Sequence, residues 1–171
     1  QGGVLVTEAG VPASAPIASG RTYAEVSADG QVNTGVAMAN PNAGDATVSF
    51  ELRNAAGNVF KSGTFTIAGT ATTCAAGAIC NQVARFLDQE PFSSGRGVQG
   101  TLSFTSTQPI AVIALRGFFN ERTNPDFLLT TLPVVDLAAS APTGTQVVPH
   151  FAAGGGWTTR LLLVNPDRKS T

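Results

Sequence analysis

Apolar and polar residues alternate along most of this chain with the two-residue period of a β-strand. Val48, Phe50 and Leu52 alternate with Thr47, Ser49, Glu51 and Arg53. Phe65 and Ile67 continue the pattern against Thr64 and Thr66, and the turn-forming Ala55–Asn58 (AAGN) between the two runs predicts a hairpin. Val98, Gly100, Leu102 and Phe104 alternate with Gln99, Thr101, Ser103 and Thr105. Thr107–Pro109 then turns the chain into Ile110–Phe119, which is apolar on both faces and predicts a central strand covered on both sides. Further strands are predicted at Thr22–Ser27, Val32–Ala39, Asn81–Phe86 and Phe127–Val134. Only Val83–Glu90 offers a short helical turn.

About eight strands separated by turn residues, with no sustained helical period, predict an all-β fold. The expected architecture is an immunoglobulin-like antiparallel β-sandwich, with extra terminal strands that pair with a neighbouring subunit. Composition marks the boundaries. Residues 1–20 read as an N-terminal strand followed by a Pro- and Ala-rich linker. Residues 21–136 read as the sandwich module, 137–145 as a second linker, and 146–171 as a partial second repeat, a hairpin.

The second repeat shows itself at an offset of 125 residues. Asn40 and Pro41 recur as Asn165 and Pro166, Thr34 as Thr159, Gly30 as Gly155 and Ala28 as Ala153. Apolar classes recur as well: Val26 with Phe151, Val32 with Trp157, Val36 with Leu161, Met38 with Leu163. The shared unit is an apolar strand, a glycine turn, a second apolar strand and Asn-Pro. A lone hairpin is marginally stable in water, so the apolar side formed by Phe151, Trp157, Leu161 and Leu163 needs a partner. The apolar Val4, Leu5 and Val6 form a terminal strand with the same need. Three partners are open: the module of the same chain, further sequence, or a neighbouring chain; in the last case strand addition joins the two segments, and an open head-to-tail contact builds filaments.

Composition narrows the function. The chain has 171 residues, 43% hydrophobic and only 12% charged, which is enough apolar material for a packed core. The net charge is −1 and the basic residues are scattered, whereas nucleic-acid binders carry a basic stripe. The strongly apolar stretch Pro109–Leu115 is far shorter than the roughly 20 residues of a membrane helix, so no membrane insertion is expected. Cys74 and Cys80 flank a loop-like stretch containing Gly77, and a small disulfide there suits an oxidising compartment.

No residue pattern points to catalysis, a metal or a cofactor. Gly95, Gly97 and Gly100 form a GxGxxG, but it precedes a strand instead of opening a helix, as a dinucleotide site requires. His150 is the one histidine and no GxSxG serine elbow accompanies it. Asp29, Glu121 and Asp126 lack the spacing of a calcium loop and read as solvated turn residues. Arg116 interrupts an apolar strand and requires a local carboxylate or carbonyl partner, or solvent. The chain has one Trp and one Tyr, Trp157 and Tyr23, which is thin for a sugar-stacking platform.

Several segments carry a family resemblance: Arg21–Val59 around ANPNAGDATVSFELRNAAGNV, then NQVARFLDQ, GVQGTLSFTSTQPIAVIALRG, LLTTLPV and PHFAAGGGWTTRLLLVNP. Together they resemble repeat modules of large secreted bacterial proteins, particularly Acidobacteria-like ones. In those proteins VTEAGVP-type and GGGWTT…LVNP-type segments alternate along the chain. The resemblance implies an extracellular β-sandwich building block and transfers no catalytic or binding residues. The expectation is a non-enzymatic structural subunit or repeat of an extracellular or cell-surface filament, partnered by itself. A carbohydrate-binding or adhesin module that contacts glycans, or an accessory domain of a secreted hydrolase, is the alternative.

Overall fold

A computed structural model describes residues 10, 13–119, 126–140, 143–148, 151–156, 159, 161 and 163. Every regular element among them is a strand, so the all-β class holds: β1 (Ile17–Val26), β2 (Val32–Ala39), β3 (Ala46–Asn54), β4 (Val59–Ile67), β5 (Gln82–Phe86), β6 (Val98–Phe119), β7 (Phe127–Leu132) and β8 (Val135–Asp136). The short helical turn expected over Val83–Glu90 is absent. β5 runs to Phe86 and plain turns follow, because the next segment tucks Leu87 and Phe92 into the core.

The strands form one sheet in the order β4-β3-β6-β1-β2-β5, with β7 on β6 and β8 on β1. All ladders are antiparallel. A single parallel bridge, Ala68 with Cys80, ties the end of β4 to the start of β5, so the sheet nearly closes into a barrel. β6 organises this shape. Its first half pairs with β1 and β3 and its second half with β2 and β7. Val98 lies opposite Val26 and Phe118 opposite Val32. Val26 and Val32 flank one tight turn, in which the Ser27 amide donates to the Val32 carbonyl at 2.9 Å. Both ends of β6 therefore return to the same end of the molecule, and the strand doubles back through Ser106–Pro109. The turn read from Thr107–Pro109 is present as this bend within a continuous strand.

The doubled sheet encloses one core. β1 contributes Ala24 and Val26, β2 contributes Val36 and Met38, β3 contributes Val48, Phe50 and Leu52, and β6 contributes Leu102, Phe104, Ile110 and Val112. Phe92 joins Phe50 and Phe65 in an aromatic cluster, with ring centroids 5.1 and 5.9 Å from its own. The Ala55–Asn58 hairpin forms as the pattern predicts. Gly57 takes a positive φ of 83°, and the Asn54 side chain accepts from the Ala56 and Asn58 amides.

Two departures from the sequence reading have physical causes. β1 begins at Ile17, inside the stretch whose composition reads as linker. Ser19 pairs with Thr105, and Gly20 is required beneath the Phe104 ring, which would lie 2.6 Å from any Cβ there. The second half of β6 is fully covered on one side only. Ile110, Val112 and Ala114 are buried, whereas Ala111, Ile113 and Leu115 on the opposite side are half-buried.

One end of the nearly closed sheet is held by Asn40, at the end of β2. Its buried amide nitrogen donates to the Gly44 carbonyl at 2.9 Å and the Ile67 carbonyl at 3.0 Å. Its side-chain oxygen accepts from the Asn42 amide and from Asn42 Nδ2. The Asn40 backbone amide donates to Asn81, and Asn42 Nδ2 also donates to Pro109 at the β6 bend. One side chain thus ties together the ends of β2 and β4 and the start of β3, with the start of β5 and the bend of β6 joined through its immediate partners. Every polar atom of the Asn40 side chain is satisfied, the condition under which a buried polar group stabilises a fold. Asn40→Ala leaves the buried Ile67 carbonyl and the part-buried Gly44 carbonyl without this donor and is expected to cost about 1–3 kcal/mol in urea unfolding. Asn40→Asp keeps the size but removes the donors, and is expected to be destabilised at neutral pH as well. A wild-type midpoint for either variant contradicts the bracket.

Candidate functional site

The residues singled out for assembly fall into two groups. Val4, Leu5, Val6 and Trp157 lie outside the described residues. Phe151, Leu161 and Leu163 are described, and all three are exposed: 73%, 58% and 87% of their surface is open to solvent. Their counterparts in the first copy, Val26, Val36 and Met38, stand at 0%, 2% and 1%. The same sequence pattern therefore sits in the core in one copy and in water in the other. Val147 and Val148, just ahead of the segment, are exposed too.

Both segments use a threonine hydroxyl, in registers that differ by two residues. In the first, the Glu25 amide donates to the hydroxyl of buried Thr34 across the hairpin at 2.9 Å. In the second, the Ala152 amide donates to the hydroxyl of Thr159, Thr34's counterpart, at 2.9 Å, and that hydroxyl donates back to the Ala152 carbonyl. Gly154, Gly155 and Gly156 all have positive φ, as does Gly30 in the first turn. The second segment thus has a threonine brace and a glycine turn, but among the described residues it has no sheet partners comparable to those of β1 and β2. Ala13-Ser14-Ala15-Pro16, just before β1, recurs as Ala139-Ser140-Ala141-Pro142 at an offset of 139 − 13 = 126, one residue out of register with the repeat.

Cys74 and Cys80 form a disulfide, with Cα atoms 5.7 Å apart. It closes an exposed loop beside the parallel bridge, where the Ala68 amide donates to Ile79 and the Asn81 amide to Ala68. The loop is fixed from its other side by Asp45, which accepts from the Gly69 amide at 2.9 Å and from the Thr72 hydroxyl. Gly69 packs directly on the Ala43–Gly44 backbone, and a Cβ there would come 2.2 Å from the Ala43 carbonyl oxygen. The disulfide and Asp45 secure the seam between β4 and β5. The bond also fits a non-reducing environment.

The remaining polar candidates take structural places. Asp29 accepts from the Ser27 hydroxyl and the Gln31 amide within the β1–β2 turn, and both bonds hold its carboxyl below the ordinary range, the Ser27 bond most strongly. Arg116 Nε lies 3.5 Å from Glu25 Oε2 and its guanidinium sits over Phe118, so the arginine in the apolar strand has a local carboxylate partner. The Tyr23 ring is buried and its hydroxyl accepts from Gln99, which removes it as a sugar-stacking surface. The Gly95–Gly97 loop enters β6, and Gly100 is pressed against the Arg53 carbonyl. His150 and Glu121 lie outside the described residues. No group of three metal-ligating side chains comes together among the described residues, and none of their elements is a helix able to cross a membrane. A shallow depression of about 460 Å³ between the β3–β4 turn and the start of β6 is lined by Asn54, Ala55, Phe60, Val98 and Gln99, with Asn54 bonded to the turn amides and Gln99 to Tyr23.

The Thr72 hydroxyl first, and the Gly69 amide second, hold the Asp45 carboxyl below its ordinary value of 3.8. With its pKa lowered in the folded chain, Asp45 supports the loop fully above pH 3.8, and that support is lost as pH falls through the lower folded value. The Gly69 amide proton is expected to titrate by NMR with a midpoint below 3.8, and Asp45→Asn is expected to abolish the step. A midpoint at or above 3.8 contradicts the assignment. Comparison of the chain with protein-family models, with curated proteins and with solved structures finds no match.

Proposed function

We propose that this chain is a non-catalytic building block of an extracellular bacterial filament or surface appendage, assembling head-to-tail with further copies of itself by β-strand complementation. The observation that carries the proposal is the contrast between the two copies of one pattern. Val26, Val36 and Met38 are buried in a finished sheet, while Phe151, Leu161 and Leu163 are held in water. Burying a large aliphatic or aromatic side chain stabilises by about 1.5–3 kcal/mol. A segment with three such side chains exposed, a braced glycine turn and, among the described residues, no ladder to a named strand is an acceptor for more β-structure. The apolar Val4–Val6 segment supplies a complementary strand from the next copy.

The immunoglobulin-like reading of the module belongs to the same proposal. It is supported by the way β6 doubles back, setting the β1–β3–β4 half of the sheet against the β2–β5–β7 half across one core. The disulfide at an exposed seam supports an extracellular location. Among the described residues, Asp29 is taken up in a turn and Arg116 in an ion pair, which supports a structural role. Glycan binding through an aromatic platform loses Tyr23 to the interior.

Negative-stain electron microscopy of concentrated protein is expected to show regular fibres with a fixed axial repeat. The double variant Leu161→Asp, Leu163→Asp is expected to leave discrete particles. Discrete particles from the unaltered chain at every concentration contradict the proposal.

A further inference from the structure

The nearly closed sheet has one backbone bridge across the seam between β4 and β5. β4 pairs with β3 and β5 pairs with β2, and among the described residues β4 and β5 share no ladder. What joins them is the parallel bridge of Ala68 with Cys80. In it the Ala68 amide donates to the Ile79 carbonyl at 2.9 Å and the Asn81 amide to the Ala68 carbonyl at 3.2 Å. The two halves of the loop that makes this bridge are held differently. The first half is fastened to the body of the sheet. The Asp45 carboxylate accepts from the Gly69 amide and the Thr72 hydroxyl, and the Thr70 and Ala71 amides donate to the Asn42 and Ala43 carbonyls. The second half has no such fastening. Residues 75–78 bond only within the loop, through the Ala78 amide to the Ala75 carbonyl, and Gly77 turns them with a φ of 84°. Beyond them Asn81 stands at a φ of 59°, a left-handed conformation that costs energy in a residue with a Cβ and lasts where the surroundings impose it. The one cross-link between the fastened half and the free half is the Cys74–Cys80 disulfide, and Cys80 is itself the bridge residue.

We infer that the Cys74–Cys80 disulfide is a redox latch on this seam. When it is reduced, β4 and β5 part at Ala68 while the rest of the sheet stays folded; when it is oxidised, they close. The inference stands apart from the filament reading, because it concerns when the sheet closes and not what the chain joins. Three observations carry it. The first is position. The bond acts on the bridging residue, so its loss is felt at the two bridge hydrogen bonds before it is felt elsewhere. The second is access. Cys74 and Cys80 are both exposed, so a small dithiol reaches the sulfurs without unfolding the chain. The third is containment. Asp45 holds the Gly69–Thr72 half, Asn40 holds the ends of β2 and β4, and neither bonds to a cysteine side chain. β5 also keeps its ladder to β2 from Gln82 to Phe86, so the opening stops at the seam. Ile79, half-buried against the core, leaves with the free half. In the reducing step a thiolate of the dithiol attacks one sulfur, forms a mixed disulfide and releases the other cysteine. The second thiolate then displaces the remaining cysteine, so the reductant departs as a disulfide and the protein gains two electrons and two protons as thiols. Exchange with a disulfide oxidant runs the step backwards. A chain held in a reducing compartment therefore carries an open seam and closes it on reaching an oxidising one.

Amide hydrogen exchange followed by NMR on the whole chain reads the latch, before and after dithiothreitol and again after oxidised glutathione. The Ala68 and Asn81 amides are the bridge donors, and the Gly69 amide, held by Asp45, is the internal control. Reduction is expected to speed exchange at Ala68 and Asn81 on the order of tenfold or more, while Gly69 and the amides of β1, β3 and β6 stay within about twofold of their oxidised values. Re-oxidation is expected to restore the protection. The double variant Cys74→Ser, Cys80→Ser, measured without reductant, is expected to match the reduced chain and to ignore dithiothreitol. The reduced unaltered chain carries the test by itself where that variant does not fold. Unchanged exchange at Ala68 and Asn81, with thiol titration showing full reduction, overturns the inference, because the bridge then holds without the bond. A rise shared alike by the seam, β3 and β6 overturns it too, because the bond is then a staple of the whole fold. A bond that dithiothreitol leaves intact in the folded chain overturns it as well.

Discussion

The closure of this sheet depends on the side chain of Asn40. A β-sheet that doubles on itself must bring strand ends together at its poles, where the ladder hydrogen bonds have run out. There the Asn40 amide group donates to the carbonyls of Gly44 and Ile67. Asn42, the disulfide loop and Asp45 extend the same network to the β6 bend and to the β4–β5 seam. An aliphatic residue cannot do this, and neither can an aspartate. Two donors and two acceptors are needed in one short side chain. The following Pro41 fixes the chain direction as it leaves β2. Asn-Pro recurs in the sequence at Asn165 and Pro166, which lie outside the described residues.

Much of the fold was legible because burial on one side of a strand enforces alternation. β2 has the bounds that its pattern gives, and the Asn54–Asn58 hairpin follows from its turn residues. Other features were hidden for tertiary reasons. Ile17–Gly20 looks like linker because Gly20 and its small neighbours were selected to pass under Phe104, and composition cannot distinguish close packing from flexibility. Phe92 sits in a loop with no period, so nothing in its neighbourhood marks it as a core residue. The two-sided apolar pattern of Ile110–Phe119 was read as a strand with two covers. On the outer side Phe127 and Phe86 cover Gly117 and Gly35, while Ala111, Ile113 and Leu115 stay half-buried.

The candidate site was legible only as a repeat. Matching Val26 to Phe151 and Met38 to Leu163 predicted two equivalent hairpins, and the sequence alone could not say that one lies in the core and the other in solvent. That difference comes from β6, β5 and β8, which flank the first hairpin. The aromatic cover on the outer side of β6 was harder to see, because it depends on which strands become neighbours. Ile113, Leu115, Phe86 and Phe127 are far apart in sequence and meet only through register.

Hydrogen exchange followed by mass spectrometry, at low and at high protein concentration, tests the central claim most directly. The account predicts that peptides spanning Phe151–Leu163 exchange freely in dilute protein and become protected on concentration, while β1, β2 and β6 are protected in both. Equal exchange of that segment at the two concentrations, whether protected or open, contradicts it.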